Sequence, residues 1–199
     1  SHNDVHALDS APRTAPLLCV FSPKCRFCRS RGFARHARPR LSGVCTVMIN
    51  IAEDGVARLL AVRDENPARE WDALGEWWPE RYPNVVGIRD RRAGGAWLAA
   101  DASTRRLAVL LNRADTLDLP EAEVLSRGAL VLESVAGRSP EGPQRVHGFN
   151  LLEVNPAGAR VISWNGETLS ETPVSAGTHM IAHDDLDDPR TPRIAHWLP

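Results

Sequence analysis

Val44-Cys45-Thr46-Val47-Met48-Ile49-Asn50-Ile51-Ala52 runs into Glu53-Asp54-Gly55 and out again through Val56 to Asp64, and this stretch decides how the rest of the chain is read. The limb from Cys45 to Ala52 is β-rich and apolar, Asp54-Gly55 is a strong two-residue hairpin signal, and Val56 to Asp64 is a second apolar run. With Asp54 and Gly55 as the central turn residues, Glu53 pairs with Val56. Counting outward in antiparallel register sets Cys45 across from Asp64, with both side chains on one face. Arg63 is one residue away. The sequence therefore predicts a thiol opposite a charged pair at the open end of a hairpin.

Further hairpins follow. Gly94 to Asp101 and Arg106 to Leu111 read as two strands around Ser103-Thr104, the second ending at Asn112-Arg113. Gly148 to Val154 and Ala159 to Trp164 form a third hairpin around Asn155-Pro156-Ala157-Gly158, and Asn165-Gly166 marks the next turn. Strand is expected to continue to His183. Pro120 and the apolar spacing of Leu125, Leu130, Leu132 and Val135 up to Gly137 predict one amphipathic helix, and Arg193 to Leu198 a second. Asn66 to Pro83, with Trp71, Trp77 and Trp78, reads as a loop, and Arg89-Asp90-Arg91-Arg92 as an exposed turn. Many antiparallel hairpins with few helices indicate a layered α+β fold.

Charge divides the chain in two. Residues 1 to 43 hold eight Arg/Lys against two Asp, leaving sixteen against twenty-three of the chain's 24 basic and 25 acidic residues for 44 to 199. The first part is basic and poor in periodic pattern, so residues 1–43 read as a disordered leader or translated upstream sequence, and 44–199 as the domain. Val44 fits that division, because a bacterial GTG start codon is read as valine when it is internal. The natural chain would then begin Met-Cys-Thr-Val. A helix beginning at Arg193 next to Pro199 suggests that the domain continues beyond the C-terminus. A net charge of −1 gives no footprint for nucleic acid, and no run reaches the roughly 18 apolar residues of a membrane span, so a cytoplasmic location is expected. Cys19, Cys25 and Cys28, with His36, have part of the spacing of a zinc site, but nothing around them resembles a knuckle, and no metal is expected.

The string CTVMINIAEDGVARLLAVRDENPARE, followed in order by GIRDRRAGGAWLAAD, RLAVLLNR, SRGAL, GFNLL and GTHMIAHDDLDDPRTPRI, resembles the NRDE, or transport and Golgi organisation 2, family over about residues 45 to 198. The resemblance implies a fold similar to the N-terminal-nucleophile hydrolases, a four-layer αββα sandwich whose nucleophile is the first residue after the initiator Met. It also implies a role in intracellular heme handling or trafficking, with heme as cargo and no cofactor required for catalysis. An alternative within the same fold is a cysteine amidohydrolase acting on a C–N amide bond, and a third is a catalytically inactive scaffold.

In such a hydrolase the thiol attacks an acyl carbon while its own α-amine serves as base. That chemistry maps onto Cys45 as nucleophile, Arg63 and Asp64 as the groups holding substrate and amine, and Asn112 as an oxyanion donor. It requires Cys45 to lead the mature chain. Four positions depart from the family pattern: Val62 stands for the Asn of the name motif, Ala96 for the Thr of Gly-Gly-Thr-Trp, and Ala182-His183 for a late Ser-Asn. His179 and His183 are the candidates for heme-iron ligation, against the plainer reading of hydrogen-bonded histidines. Cys45 itself has a plain reading, as a small buried hydrophobe.

Overall fold

The computed structural model describes residues 45–64 and 68–198. Val44, Glu65 and the possible ligands Cys19, Cys25, Cys28 and His36 lie outside them. The first hairpin is present as β1 (Thr46–Ile51) and β2 (Ala57–Val62). Its turn has three residues rather than two: the Ala52 amide donates to Val56 O and the Gly55 amide to Ala52 O, both at 2.9 Å, with Gly55 at φ +80°. That is a three-residue loop closing on a left-handed glycine, a conformation costly for a residue with a Cβ. The ladder is therefore Ile51↔Ala57 through Thr46↔Val62, one residue out of step with the expected pairing. Carried one step further, it opposes Cys45 to Arg63. The expected Cys45–Asp64 pair is corrected accordingly, since a slip of one residue turns a side chain to the other face.

Two antiparallel sheets build the domain. The smaller has the order β10-β1-β2, with β10 at Gly177–Ile181, and the larger holds the other seven strands in chain order, from β3 (Trp71–Gly75) and β4 (Val85–Asp90) to β9 (Leu169–Val174). In the larger, β5 (Ala96–Asp101), β6 (Arg106–Asn112), β7 (Phe149–Asn155) and β8 (Gly158–Trp164) are the expected hairpin strands. Alternation along them divides their side chains between two cores. Leu107, Val109 and Leu111 of β6 meet Val47, Ile49, Leu59 and Ala61 of the small sheet, while Ala108 and Leu110 meet Val131, Leu132 and Val135 of α1 (Gly128–Val135). The outer face of the small sheet presents Met180, beside Ala182, to Ile194 of α2 (Pro192–Trp197). The layers thus run helix, large sheet, small sheet, helix, the α+β sandwich the sequence predicts. Among the described residues no helix is long and apolar enough to cross a membrane.

The structure alters four local expectations. The Trp-rich loop contains β3 (Trp71–Gly75), an edge strand whose ladder with β4 (Val85–Asp90) shifts register between Asp72 and Gly75. Arg89 and Asp90 end that second strand rather than forming an exposed turn, and Asp90 is only 3 % exposed. The helix expected from Pro120 is a short 3-10 turn at Glu121–Glu123, an extended Val124, and then α1. The strand expected to reach His183 is two strands, β9 (Leu169–Val174) on the large sheet and β10 on the small one.

Candidate ligand site beside Cys45

β1 begins one residue after Cys45 and β2 ends one residue before Arg63, so the three-residue turn brings these two side chains together at the hairpin's open end. Arg63 Nη1 lies 3.8 Å from Cys45 Sγ, and the thiol faces the main-chain oxygen of Asp64 at 4.0 Å. The Asp64 carboxylate points elsewhere: Arg193 of α2 donates Nη2 to its Oδ2 at 3.0 Å and Nη1 to Thr46 Oγ1 at 2.7 Å. Arg63 is thus the charged group beside the sulfur, and Asp64 belongs to the tie between α2 and the small sheet.

Trp97 fixes the other side of Arg63, whose guanidinium carbon lies 3.6 Å from the indole centroid. A bulge produces this contact. Ile88 pairs with Leu98 but Arg89 with Ala96, so Trp97 is the extra residue on β5. It consequently turns to the same inter-sheet core as Leu98, where alternation would have sent it toward α1. An arginine on an indole face is worth about 0.5–2 kcal/mol, rising with its burial, and Arg63 is half-buried.

Arg63, Trp97 and Leu110 line two adjoining cavities. The smaller, about 20 Å³, also touches Cys45, Val47 and Leu111 between the sheets. The larger, about 380 Å³, is lined in addition by Arg69, Arg92, Asn112, Arg127 and His147, with Asp90 and Glu121 the carboxylates. Asn112 lines only the larger cavity and Cys45 only the smaller, with Arg63 common to both. His179 and His183 line neither cavity. His179 holds Asp187 Oδ2 through Nδ1 at 2.6 Å and meets Ser175 Oγ through Nε2 at 3.3 Å, while His183 Nε2 lies 3.2 Å from Asp184 Oδ2.

The walls of the larger cavity are set by polar ties. Asp90 accepts from Arg69 and from the Arg92 and Ala93 amides. Burial pushes its carboxyl up, but those donors outweigh burial and its pKa lies below the ordinary 3.8. Arg127 donates Nη1 to Gly148 O at 2.6 Å, and its pKa is lowered, first by burial and then by Arg63 and Arg69, with Asp115 opposing. Arg127 reaches the cavity because the start of α1 is pressed onto β5. A Cβ on Gly95 would stand 2.5 Å from Gly128 Cα, so both glycines are needed for that contact.

Sequence reasoning missed Arg69, Arg92, Trp97, Arg127 and Asn150. Two signals were present: Gly-Gly-Ala-Trp ending in Trp97, and Ser-Arg-Gly-Ala-Leu carrying Arg127, whose glycines meet. Fully buried Asn150 gives Nδ2 to Ala182 O at 3.1 Å and to Asp184 O at 2.7 Å, and its Oδ1 accepts from Ser163 and Arg113. It pins the segment after β10 onto the large sheet.

The protein is a two-sheet α+β sandwich in which a thiol and an arginine line a small cavity between the sheets. The chain belongs to the Transport and Golgi organisation 2 family, whose model matches residues 45–197. No curated protein matches the sequence.

Proposed function

We propose that this protein takes a small molecule into the cavity beside Cys45, and that this molecule is heme, handled as cargo inside the cell as the family resemblance implies. One observation carries the reading: a cavity of about 380 Å³, within the size range of small-molecule sites, that combines arginines with Trp97 and Leu110 and shares those walls with the smaller cavity lined by Cys45. Arginine forks suit the propionate carboxylates of a porphyrin, and the apolar pair suits its ring. The test is absorbance titration of hemin into the full chain. A Soret shift that saturates and weakens in Trp97→Ala supports heme as the cargo; a spectrum equal to that of hemin in buffer overturns it.

The contact between Arg63 Nη1 and Cys45 Sγ favours a second reading, a cysteine amidohydrolase. In that reaction the Cys45 α-amine takes the thiol proton and the sulfur adds to the amide carbon. The C–N bond then breaks as the amine delivers the proton to the leaving nitrogen, and water hydrolyses the thioester. The reading requires Cys45 to be the first residue. Mass spectrometry of a chain starting at Cys45, after exposure to an acylating electrophile, would show one adduct on Cys45 and none in Cys45→Ala. Equal labelling of both would sink the reading.

A further inference from the structure

Among the described residues that line the larger cavity, guanidiniums outnumber the carboxylates of Asp90 and Glu121. Four guanidiniums reach it from four separate segments: Arg63 after β2, Arg69 before β3, Arg92 in the β4–β5 turn and Arg127 before α1. Asp90 is already occupied by Arg69 and two amides, and Glu121, whose side chain is 86 % exposed, meets His147 at 3.3 Å. Arg127 bonds to a neutral carbonyl oxygen. Arg92 makes no ion pair among the described residues.

Like charges gathered in a partly buried wall repel, and the cost is removed when an anion enters. Burial is the main cause of the lowered pKa of Arg127; Arg63 and Arg69 add a smaller repulsion to it, and Asp115 opposes them. Gly128 and Ser126 also line this wall, so the first turn of α1 adds its positive end to the field. The two ends of the site therefore differ chemically. Toward Cys45 the lining is apolar apart from the thiol and Arg63, whereas Arg69, Arg92 and Arg127 line the larger cavity alone.

We propose that the Arg69, Arg92 and Arg127 wall is an anion seat, and that the ligand of this cavity carries two negative charges at one end, as paired carboxylates or a phosphate. Its other end is directed past Trp97 toward Cys45. This rests on the cavity being the ligand site; heme, with two propionates, is one member of the class, and smaller dianions are others. Arginine forks match the planar oxygens of either group, which is why the two sources share one seat.

The experiment is calorimetric titration of the full chain with succinate, with inorganic phosphate and with neutral succinamide, at low salt and at about 0.5 M NaCl, where screening is strong. At least one of the anions is expected to bind at least tenfold more tightly than succinamide, and to lose affinity in high salt. Arg92→Gln should weaken that binding several-fold at unchanged Tm, because it breaks no ion pair among the described residues. Arg127→Gln should weaken it at least tenfold, and where that variant melts early, Arg92→Gln decides. Succinamide binding as well as succinate, no binding of either anion, or unaltered binding in Arg92→Gln overturns the seat. Hemin titrated into the same variants separates the two proposals. Hemin binding unchanged in Arg92→Gln and Arg127→Gln keeps the cargo and removes the seat, whereas anion binding without a Soret shift does the reverse.

Discussion

The large sheet and the small sheet meet at the candidate site but are held by different means. The large sheet is apolar on both faces, packed by α1 on one side and by the small sheet on the other. Beyond that shared core, the small sheet relies on a short helix and on polar ties: Arg193 to Asp64 and Thr46, Asn150 to Ala182 and Asp184, and His179 to Asp187. The arginines around Asp90 stand on the first framework and Cys45 on the second. Apolar burial sets the global stability of a domain, while polar ties between partly exposed groups set local position. The cavity wall should therefore be the fixed half of the site and the thiol the adjustable half.

Removing Phe149 attacks the framework directly. It is fully buried between α1 and the large sheet, so Phe149→Ala should cost about 3–5 kcal/mol in denaturant unfolding. Asn150→Ala comes next. It leaves the Ala182 and Asp184 carbonyls and the Ser163 hydroxyl without their amide, and a buried group stripped of its partner costs about 1–3 kcal/mol. Hydrogen exchange should rise at β10 more than at β6 or β7. Equal protection loss in all three strands would show that Asn150 supports the whole fold and would erase the contrast between the sheets.

What the sequence disclosed follows the same division. Alternating apolar strands with turn residues between them were legible, because burial on a sheet face imposes period two, and β1, β2 and β5 to β8 were all readable. β3 escaped because an edge strand with a bulge and a single buried residue, Asp72, has little apolar alternation to show. The reversal at Ser175-Ala176 escaped because it lacks Asn-Gly or Asp-Gly, and nothing local reports that β10 changes sheets. At the site, Cys45 and Arg63 were found, but their pairing was set by whether the turn holds two residues or three, and Asp54-Gly55 fits both. The arginine wall was invisible because its members lie far apart in the chain and are joined only by tertiary contacts. Gly-Gly-Ala-Trp and Ser-Arg-Gly-Ala-Leu were legible as motifs, but nothing in either reports that Gly95 and Gly128 press backbone to backbone.

Acid should expose the polar framework of the large sheet. Asp72, like Asp90, is raised by burial but lowered further by its guanidinium partners Arg91 and Arg89, and Asp101 is lowered first by the Ser103 hydroxyl. Near the small sheet, Arg190 and the Arg190 amide hold Asp188 down at about 2. A carboxyl whose folded pKa lies below its unfolded value near 3.8 stabilises the fold fully above that pH. The contribution is lost as pH falls through the folded pKa. Tm should therefore be level with respect to these groups above about pH 5 and fall between pH 4 and 2. Asp90→Asn should flatten part of that decline, and an unchanged acid limb in the variant would remove Asp90 from the account.

The smallest effect on stability tests the contrast most sharply. Arg193 and Asp64 are each more than a third exposed, so their ion pair lies in the range where such contacts contribute below about 1 kcal/mol. Arg193→Ala should thus leave the denaturation midpoint nearly unmoved. The same side chain also holds Thr46, the residue next to Cys45, and the Asp64 main-chain oxygen faces the thiol. Loss of Arg193 removes its ties to Thr46 and Asp64 from the strand ends that carry Cys45 and Arg63, while the apolar ladder from Val47 to Ile51 stays in place. Thiol accessibility should rise several-fold, measured as the rate of Cys45 modification by a disulfide reagent and located by peptide mapping, with exchange at the Asn112 end of β6 unaltered. A several-fold gain in thiol reactivity at constant stability would mark α2 as the element that positions the thiol. An unchanged rate would place that control in the core between the sheets and in the stacking of Arg63 on Trp97.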